Sequence, residues 1–203
     1  MSDSYVEGNF LGLPESGDGV DVVVLPLPYE LTTSYGHGTA DGPAACILAS
    51  AQVELFDSDL YEDLPAGASI FTAPAWQGEG PHLKAQLDEL GTYLSPWCGG
   101  DVFPLALGGE HGILPPFMWA LKQHPAIAGD LGALTVVQID AHADLRAELD
   151  GEPFSHACAA ARSLDMGIGR LLQVGIRAYS KQEAEWIAND DRITTFFARD
   201  TQS

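Results

Sequence analysis

The fold class is decided by residues 134–144, which run Leu134-Thr135-Val136-Val137-Gln138-Ile139-Asp140-Ala141-His142-Ala143-Asp144. The first six of these residues are mostly apolar and partly β-branched, a pattern typical of a parallel strand covered on both faces. Asp140, His142 and Asp144 then follow at alternate positions, and alternate side chains of an extended chain project to one side. The stretch therefore predicts two carboxylates and an imidazole at the carboxyl end of a buried strand, where open α/β sheets place their functional sites.

A second segment of the same kind follows an earlier strand. Residues 102–107 are predicted to form that strand, and the next five residues are Gly108-Gly109-Glu110-His111-Gly112. The glycines allow another part of the backbone to approach closely. Taken alone, the Asp-x-His-x-Asp pattern fits equally well a polar loop in which His142 is only hydrogen-bonded. The additional imidazole of His111 favours a metal site.

The residue types indicate which metal such a site would hold. A structural zinc site would recruit thiolates, whereas oxygen-rich ligands with a minority of histidines suit Mn²⁺. Cys46, Cys98 and Cys158 are widely spaced and are not placed to act as zinc ligands. We therefore expect Mn²⁺.

Hydrophobic patterns and helix-start signals divide the chain into alternating elements. Pro43 lies where a proline is favoured in a first helical turn, and Ser180-Lys181-Gln182-Glu183 fits a capping box. Strands are predicted over residues 20–25, 69–73, 102–107, 135–139, 171–176 and 193–197, and helices over 43–56, 81–94, 116–123, 155–164 and 180–188. This alternation predicts one domain over residues 1–203, a three-layer α/β/α sandwich with a parallel sheet and right-handed crossovers.

The charge balance limits the choice of partners. The chain has 29 acidic and 9 basic residues and a formal net charge of −20. Nucleic acid and anionic membranes are therefore excluded as partners, while a small cationic substrate is favoured. No apolar stretch reaches transmembrane length, and residues 1–4 carry no basic-then-apolar leader pattern. We expect a cytoplasmic protein.

Several ordered motifs resemble those of one enzyme family. They are Pro26-Leu27-Pro28-Tyr29-Glu30, Thr32-Thr33-Ser34-Tyr35, Gly38-Thr39-Ala40-Asp41-Gly42-Pro43, Val53-Glu54-Leu55-Phe56-Asp57, the two metal segments, Phe154-Ser155-His156-Ala157-Cys158 and Gln173-Val174-Gly175-Ile176-Arg177. Together they make the chain resemble the ureohydrolases, the arginases and agmatinases, nearly from end to end. The similarity is greatest to bacterial and archaeal agmatinases. Position 112 departs from the pattern, since the family usually has serine where this chain has Gly112.

The resemblance implies an arginase-like fold with eight parallel strands, in which the last two lie between the third and the fourth. It also implies a later Asp-x-Asp motif that completes the metal site, and this motif is not found in residues 1–203. We therefore expect a single ureohydrolase-like domain that is incomplete at its C-terminus and lacks the two central strands. The expected partners are further copies of the complete protein, or a complementing C-terminal chain.

The same resemblance implies roles for individual residues. His111, Asp140 and Asp144 would bind one Mn²⁺, and Asp140 and His142 would bind a second. Asp144 would also pass a proton to the departing amine, and His156 would connect that proton to solvent. The alternative for His156 is a surface histidine at a helix N-terminus.

One neighbouring carboxylate is expected to have a supporting role. Glu110 is expected to orient His111 rather than to bind metal.

The function implied is that of an agmatinase-like binuclear manganese hydrolase, which converts agmatine to putrescine and urea in polyamine biosynthesis. One alternative is another ureohydrolase, acting on guanidinobutyrate, proclavaminate, formiminoglutamate or arginine. A second alternative is a truncated, non-catalytic subunit that associates with a full-length relative. The chain alone is expected to be inactive.

Overall fold

The computed structural model describes residues 7–14 and 19–200, so the leader expectation for residues 1–4 lies outside the described residues. The strands are β1 (Val22–Leu27), β2 (Phe56–Asp57), β3 (Glu62–Asp63), β4 (Ile70–Thr72), β5 (Phe103–Gly108), β6 (Thr135–Ile139), β7 (Arg170–Ile176) and β8 (Ile193–Phe197). The α-helices are α1 (Gly42–Ser50), α2 (Leu83–Leu94), α3 (Leu114–Leu121), α4 (Ala159–Asp165) and α5 (Lys181–Asn189). Within these ranges, no helix combines the length and hydrophobicity needed to cross a membrane.

Six of the strands in the described residues form two parallel sheets. Their orders are β4-β1-β5 and β6-β7-β8, and β2 pairs only with β3 in a short antiparallel hairpin. Parallel strands joined by helices confirm the predicted α/β class. The sheet is divided between β5 and β6, the position at which the resemblance places two further strands.

Each sheet has its own hydrophobic core. In the first, Leu25 of β1 packs with Leu90 and Leu94 of α2, and all three side chains are fully buried. The second core is built around β7 and α4. Helix α3 links the two, because Phe117 and Leu121 pack against both cores. The two sheets therefore have separate cores that α3 connects.

Several predicted boundaries differ from the structure, and two of them have a clear physical reason. Helix α1 ends at Ser50 instead of residue 56, and residues 56–63 form the β2-β3 hairpin. Strand β1 also continues past residue 25 through Pro26. Proline is tolerated there because β4 stops opposite Val24, and the Pro26 carbonyl accepts a hydrogen bond from the Trp76 backbone N–H beyond that point. The side of β1 that lacks an N–H therefore has no strand to pair with.

Candidate metal centre

The two predicted metal segments meet where β5 and β6 end. His111 begins a short 3₁₀ turn that leads into α3, and Asp140 follows β6 directly. The preceding Gly109 is required by a close approach, since a Cβ atom there would lie 2.2 Å from the Tyr29 carbonyl oxygen. The expectation that glycine permits tight backbone packing beside His111 is therefore confirmed.

Three side chains form one compact group at this point. Ligand atoms of His111, Asp140 and Asp144 all lie within 4.8 Å of one another. His111 Nδ1 is 2.5 Å from Asp144 Oδ2 and 3.6 Å from Asp140 Oδ2. These are the three residues that the resemblance predicts for the first ion, and their spacing allows one cation to contact all three. Their ligation of metal stays a prediction.

The charge state of His111 reports the electrostatics of the group. Burial alone would lower the pKa of the imidazole, but the hydrogen bond and charge of Asp144, together with the charge of Asp140, raise the pKa above its usual value. The two carboxylates thus stabilise positive charge at this position.

Asp144 has an unusual backbone conformation that two hydrogen bonds hold in place. Its φ is +52°, which is uncommon for a residue other than glycine. The Asp144 carbonyl accepts from the Ala161 N–H of α4 at 3.1 Å, and the next N–H, of Leu145, donates to Glu183 Oε1 at 3.1 Å. Glu183 is buried and also closes the capping box with Ser180, so the predicted capping box is confirmed. Its bond to Leu145 was missed by sequence reasoning.

His142 does not join the compact group. Its side chain is 68% exposed, and its Nδ1 lies 3.6 Å from Asp140 Oδ1. Two carboxylates of the Asp-x-His-x-Asp segment therefore converge on His111, while the imidazole between them lies beside Asp140. The expectation that all three side chains converge is therefore met by Asp140 and Asp144 and not by His142. The left-handed φ of Asp144 shows that the segment is not the fully extended chain that the alternation assumes.

His156 lies beside the group and is held by hydroxyl groups. Its Nδ1 is 3.1 Å from Thr32 Oγ1, and its Nε2 is 3.2 Å from Ser34 Oγ. With His142 and Asp144 it lines a cavity of about 320 Å³. The structure thus places His156 next to the predicted metal ligands without bringing it into their group.

The role assigned to Glu110 is wrong. Instead of orienting His111, its carboxylate accepts hydrogen bonds from the backbone N–H groups of Leu31 and Thr32 and from the Thr32 hydroxyl. The donors come from a loop nearly 80 residues earlier in the chain, and no local sequence signal marks such a contact. Glu110 therefore positions the hydroxyl that contacts His156.

The Glu30 carboxylate holds the rest of the same loop, and its lowered pKa makes the stability of the fold depend on pH. The Ala40 amide, followed by the Gly38 amide, lowers the pKa of Glu30 from 4.5 to about 2 despite partial desolvation. A carboxylate with a depressed folded-state pKa stabilises the fold above its unfolded pKa, and this contribution is lost as pH falls.

We expect Glu30→Gln to lower the free energy of unfolding above pH 4.5, with the difference from wild type disappearing as pH falls toward about 2. Urea titrations at a series of pH values measure this difference. Exposed Glu54 provides the control, because Glu54→Gln removes an equal charge outside the loop. A Glu30→Gln difference that is independent of pH would contradict the assignment.

A match to a family sequence model covers most of the chain. The model of the arginase family matches residues 20–203. The chain belongs to the arginase family. This confirms the resemblance inferred from the motifs, and it accounts for the α/β fold.

Individual arginase-family proteins show how far the similarity extends. An N(1)-aminopropylagmatine ureohydrolase of Synechocystis sp. is 35% identical over 183 residues, which are 88% of this chain and 58% of that protein. An agmatinase of Bacillus cereus is 32% identical over 188 residues, 92% of this chain and 62% of that protein. A Mn²⁺-containing structure of Trypanosoma cruzi formiminoglutamase superposes with a TM-score of 0.73 at 18% identity, over 90% of this chain and 62% of that one. The chain thus spans about three fifths of the length of its relatives.

The departure from the family pattern at Gly112 has a structural reason. A Cβ atom at this position would lie 2.9 Å from Cε1 of the Tyr29 ring, which is almost fully buried. The Tyr29 ring therefore occupies the space that a serine side chain would need, and glycine is the residue that fits.

Proposed function

We propose that this chain carries the main metal-ligand segments of an agmatinase-like binuclear manganese hydrolase, which converts agmatine to putrescine and urea. The observation that carries the proposal is the compact group of His111, Asp140 and Asp144 at the ends of β5 and β6. Relatives named as an agmatinase and an N(1)-aminopropylagmatine ureohydrolase support this class of reaction.

The donor set fits Mn²⁺. Two carboxylates and an imidazole form an oxygen-rich set without thiolate, which suits a hard divalent ion. His111, Asp140 and Asp144 would hold the first ion, and Asp140 and His142 would hold the second. When bound, a pair of Mn²⁺ ions would lower the pKa of the attacking water and would stabilise the charge that develops as this water adds to the guanidinium carbon. The formiminoglutamase relative that contains Mn²⁺ agrees with this choice of metal.

Asp144 and His156 would transfer the proton during the reaction. Asp144 is buried and lies within the compact group, so its carboxylate is available to carry a proton to the departing amine. His156 lines the same cavity as Asp144, and its ring contacts the Thr32 and Ser34 hydroxyls. His156 would therefore exchange that proton with solvent.

A substitution at His156 separates its role from that of the ligands. When the chain is co-expressed with a complementing C-terminal segment, His156→Ala should leave the Mn²⁺ content unchanged while turnover falls by about 100-fold, the lower range for positioned acid–base groups. Metal analysis of the purified variant and a urea assay measure the two effects. As the comparison, His142→Ala should lower the Mn²⁺ content and abolish urea release. Equal loss of metal in both variants would contradict the role given to His156.

The proposed substrate is a small cationic guanidino compound. The net charge of −20 favours a cation over nucleic acid or an anionic membrane. We further propose a cytoplasmic location. The proposed partner is a complementing C-terminal chain, or copies of the protein once the domain is complete, because β5 and β6 each present an open edge.

Two alternative functions are each favoured by a specific observation. N(1)-aminopropylagmatine is the alternative substrate, because the 35% identical Synechocystis protein is named for it. A non-catalytic subunit is the alternative role, because the described residues offer only Asp140 and His142 to a second ion. Other ureohydrolase substrates would keep the same ligands and change only the pocket.

Co-expression with a complementing segment tests the proposal. The segment is the remainder of the Synechocystis ureohydrolase outside its matched region. Urea release is then measured with agmatine, N(1)-aminopropylagmatine, 4-guanidinobutyrate and arginine in the presence of Mn²⁺. Turnover of agmatine supports the main proposal, and preference for another substrate supports the corresponding alternative. A stable complex that binds no Mn²⁺ and releases no urea would contradict a catalytic role.

A further inference from the structure

A row of polar side chains crosses the second sheet. Gln138 of β6 is the register partner of Gln173 in β7, and Gln173 is the register partner of Thr195 in β8. Register partners on neighbouring strands project to the same face. Gln173 is fully buried, and Gln138 is only 5% exposed. Buried amides need hydrogen-bond partners, so this row is expected to have a defined bonding pattern.

The bonds run in one direction along the row. Thr195 Oγ1 donates to Gln173 Oε1 at 2.9 Å, and Gln173 Nε2 donates to Gln138 Oε1 at 2.8 Å. Gln173 Nε2 also donates to the Ala143 carbonyl at 2.8 Å. Because a carbonyl can only accept, this last bond fixes which way the Gln173 amide faces.

The row ends at the predicted metal ligands. Gln138 Nε2 donates to the His142 carbonyl at 3.1 Å and to Asp140 Oδ2 at 3.4 Å. The other oxygen, Asp140 Oδ1, accepts from the His142 backbone N–H at 2.8 Å. Both oxygens of the Asp140 carboxylate are therefore oriented, one by the row and one by its own loop.

We propose that Gln138, Gln173 and Thr195 form a positioning relay that orients Asp140 and residues 142–143 for metal binding. The proposal rests on the metal site of the proposed function and adds residues that do not touch the ion. The row holds two groups in place. Gln138 holds the Asp140 carboxylate, and Gln173 holds the Ala143 carbonyl, which is next to Asp144. A ligand already oriented by its neighbours binds metal with less loss of conformational freedom.

Thr195 allows the relay to be tested from its far end. Thr195→Val keeps the side-chain volume and removes the hydroxyl that donates to Gln173. Thr195→Ser keeps that hydroxyl. Thr194→Val is the matched control, because the neighbouring Thr194 is exposed on the opposite face of β8. Gln138→Leu interrupts the relay at its other end, beside Asp140.

The measurements are the Mn²⁺ dissociation constant by calorimetry and the hydrogen exchange of the His142 backbone amide by NMR, both on the full chain. Partners that orient a metal ligand contribute about 10–100-fold to affinity. We expect Gln138→Leu to weaken Mn²⁺ binding by about tenfold, within that range, and the more remote Thr195→Val by about threefold. Both should speed exchange at His142, while Thr195→Ser and Thr194→Val behave as wild type.

Two results would overturn the relay while leaving the metal site intact. The first is wild-type Mn²⁺ affinity in both Thr195→Val and Gln138→Leu, with only their urea midpoints lowered, which would mean that the row serves stability alone. The second is an equal effect of Thr194→Val and Thr195→Val. A wild-type chain that binds no Mn²⁺ would contradict the metal site of the proposed function, and the relay with it.

Discussion

Alanine in place of Asp140 should abolish urea release by the complemented enzyme and remove measurable Mn²⁺ binding. Asp140 is the carboxylate assigned to both ions, and its two oxygens face His111 and His142. The loss should therefore exceed the roughly 10–100-fold effect of removing a residue that only orients a ligand. Calorimetry with Mn²⁺ and a urea assay with agmatine measure the two effects.

The controls for Asp140→Ala separate the loss of a ligand from the loss of a charge. Asp191→Ala removes an exposed carboxylate away from the compact group and should leave both measurements unchanged. His142→Ala should retain more Mn²⁺ than Asp140→Ala, because His142 is assigned to one ion only. An Asp140→Ala protein that binds Mn²⁺ as tightly as wild type would contradict the ligand assignment.

The elements and the ends of the strands were predictable because their signals are local. The apolar run before Asp140 predicts β6, and its observed span, Thr135–Ile139, agrees with the prediction. The prediction that this strand is covered on both faces is wrong, because Val137 and Ile139 are exposed. The capping box at Ser180 and Glu183 depends on residues three apart, and it forms as expected. His111 and Asp140 were expected to meet because the carboxyl ends of parallel strands share one edge.

The supporting contacts could not be predicted, because they join distant parts of the chain. Glu110 contacts Thr32, and Glu183 contacts the Leu145 amide, in each case between residues on separate elements. No local sequence pattern indicates which distant residue a carboxylate will contact. The left-handed backbone of Asp144 is also set by neighbours in α4 and α5, so a local pattern predicted an extended chain instead.

The separation of the two sheets between β5 and β6 leads to the second prediction with a large expected effect, which concerns the isolated chain. Strands β5 and β6 are each paired on one side only, and β6 exposes Val137 by 61% and Ile139 by 83%. Exposed apolar side chains on an unpaired strand edge are costly to leave in water and invite pairing with another chain. The β5 and β6 edges lie next to His111 and Asp140, which line a cavity of about 200 Å³ together with β6 residues. Completion of the sheet and completion of the metal site should therefore occur together.

Residues 1–203 alone should bind one Mn²⁺ weakly, should bind no second ion, and should not sustain urea release. The first ion has three candidate ligands, His111, Asp140 and Asp144, whereas the second has only His142 and the shared Asp140. Two closely spaced dications repel each other strongly unless enough carboxylates surround them, so double occupancy is electrostatically disfavoured. Calorimetry measures the stoichiometry, a urea assay with agmatine measures turnover, and light scattering reports association through the open edges.

The complementing Synechocystis segment provides the decisive comparison for this last prediction. With the segment present, the same chain should bind a second Mn²⁺, and urea release should appear. If the Val137 and Ile139 edge is where the segment pairs, Ile139→Lys should weaken complementation, because it places a charge on that edge. The matched change Thr194→Lys, at an exposed position of β8 away from the division, should not weaken it. Two tightly bound ions and sustained turnover in the isolated chain would contradict both the ligand count and the need for a partner.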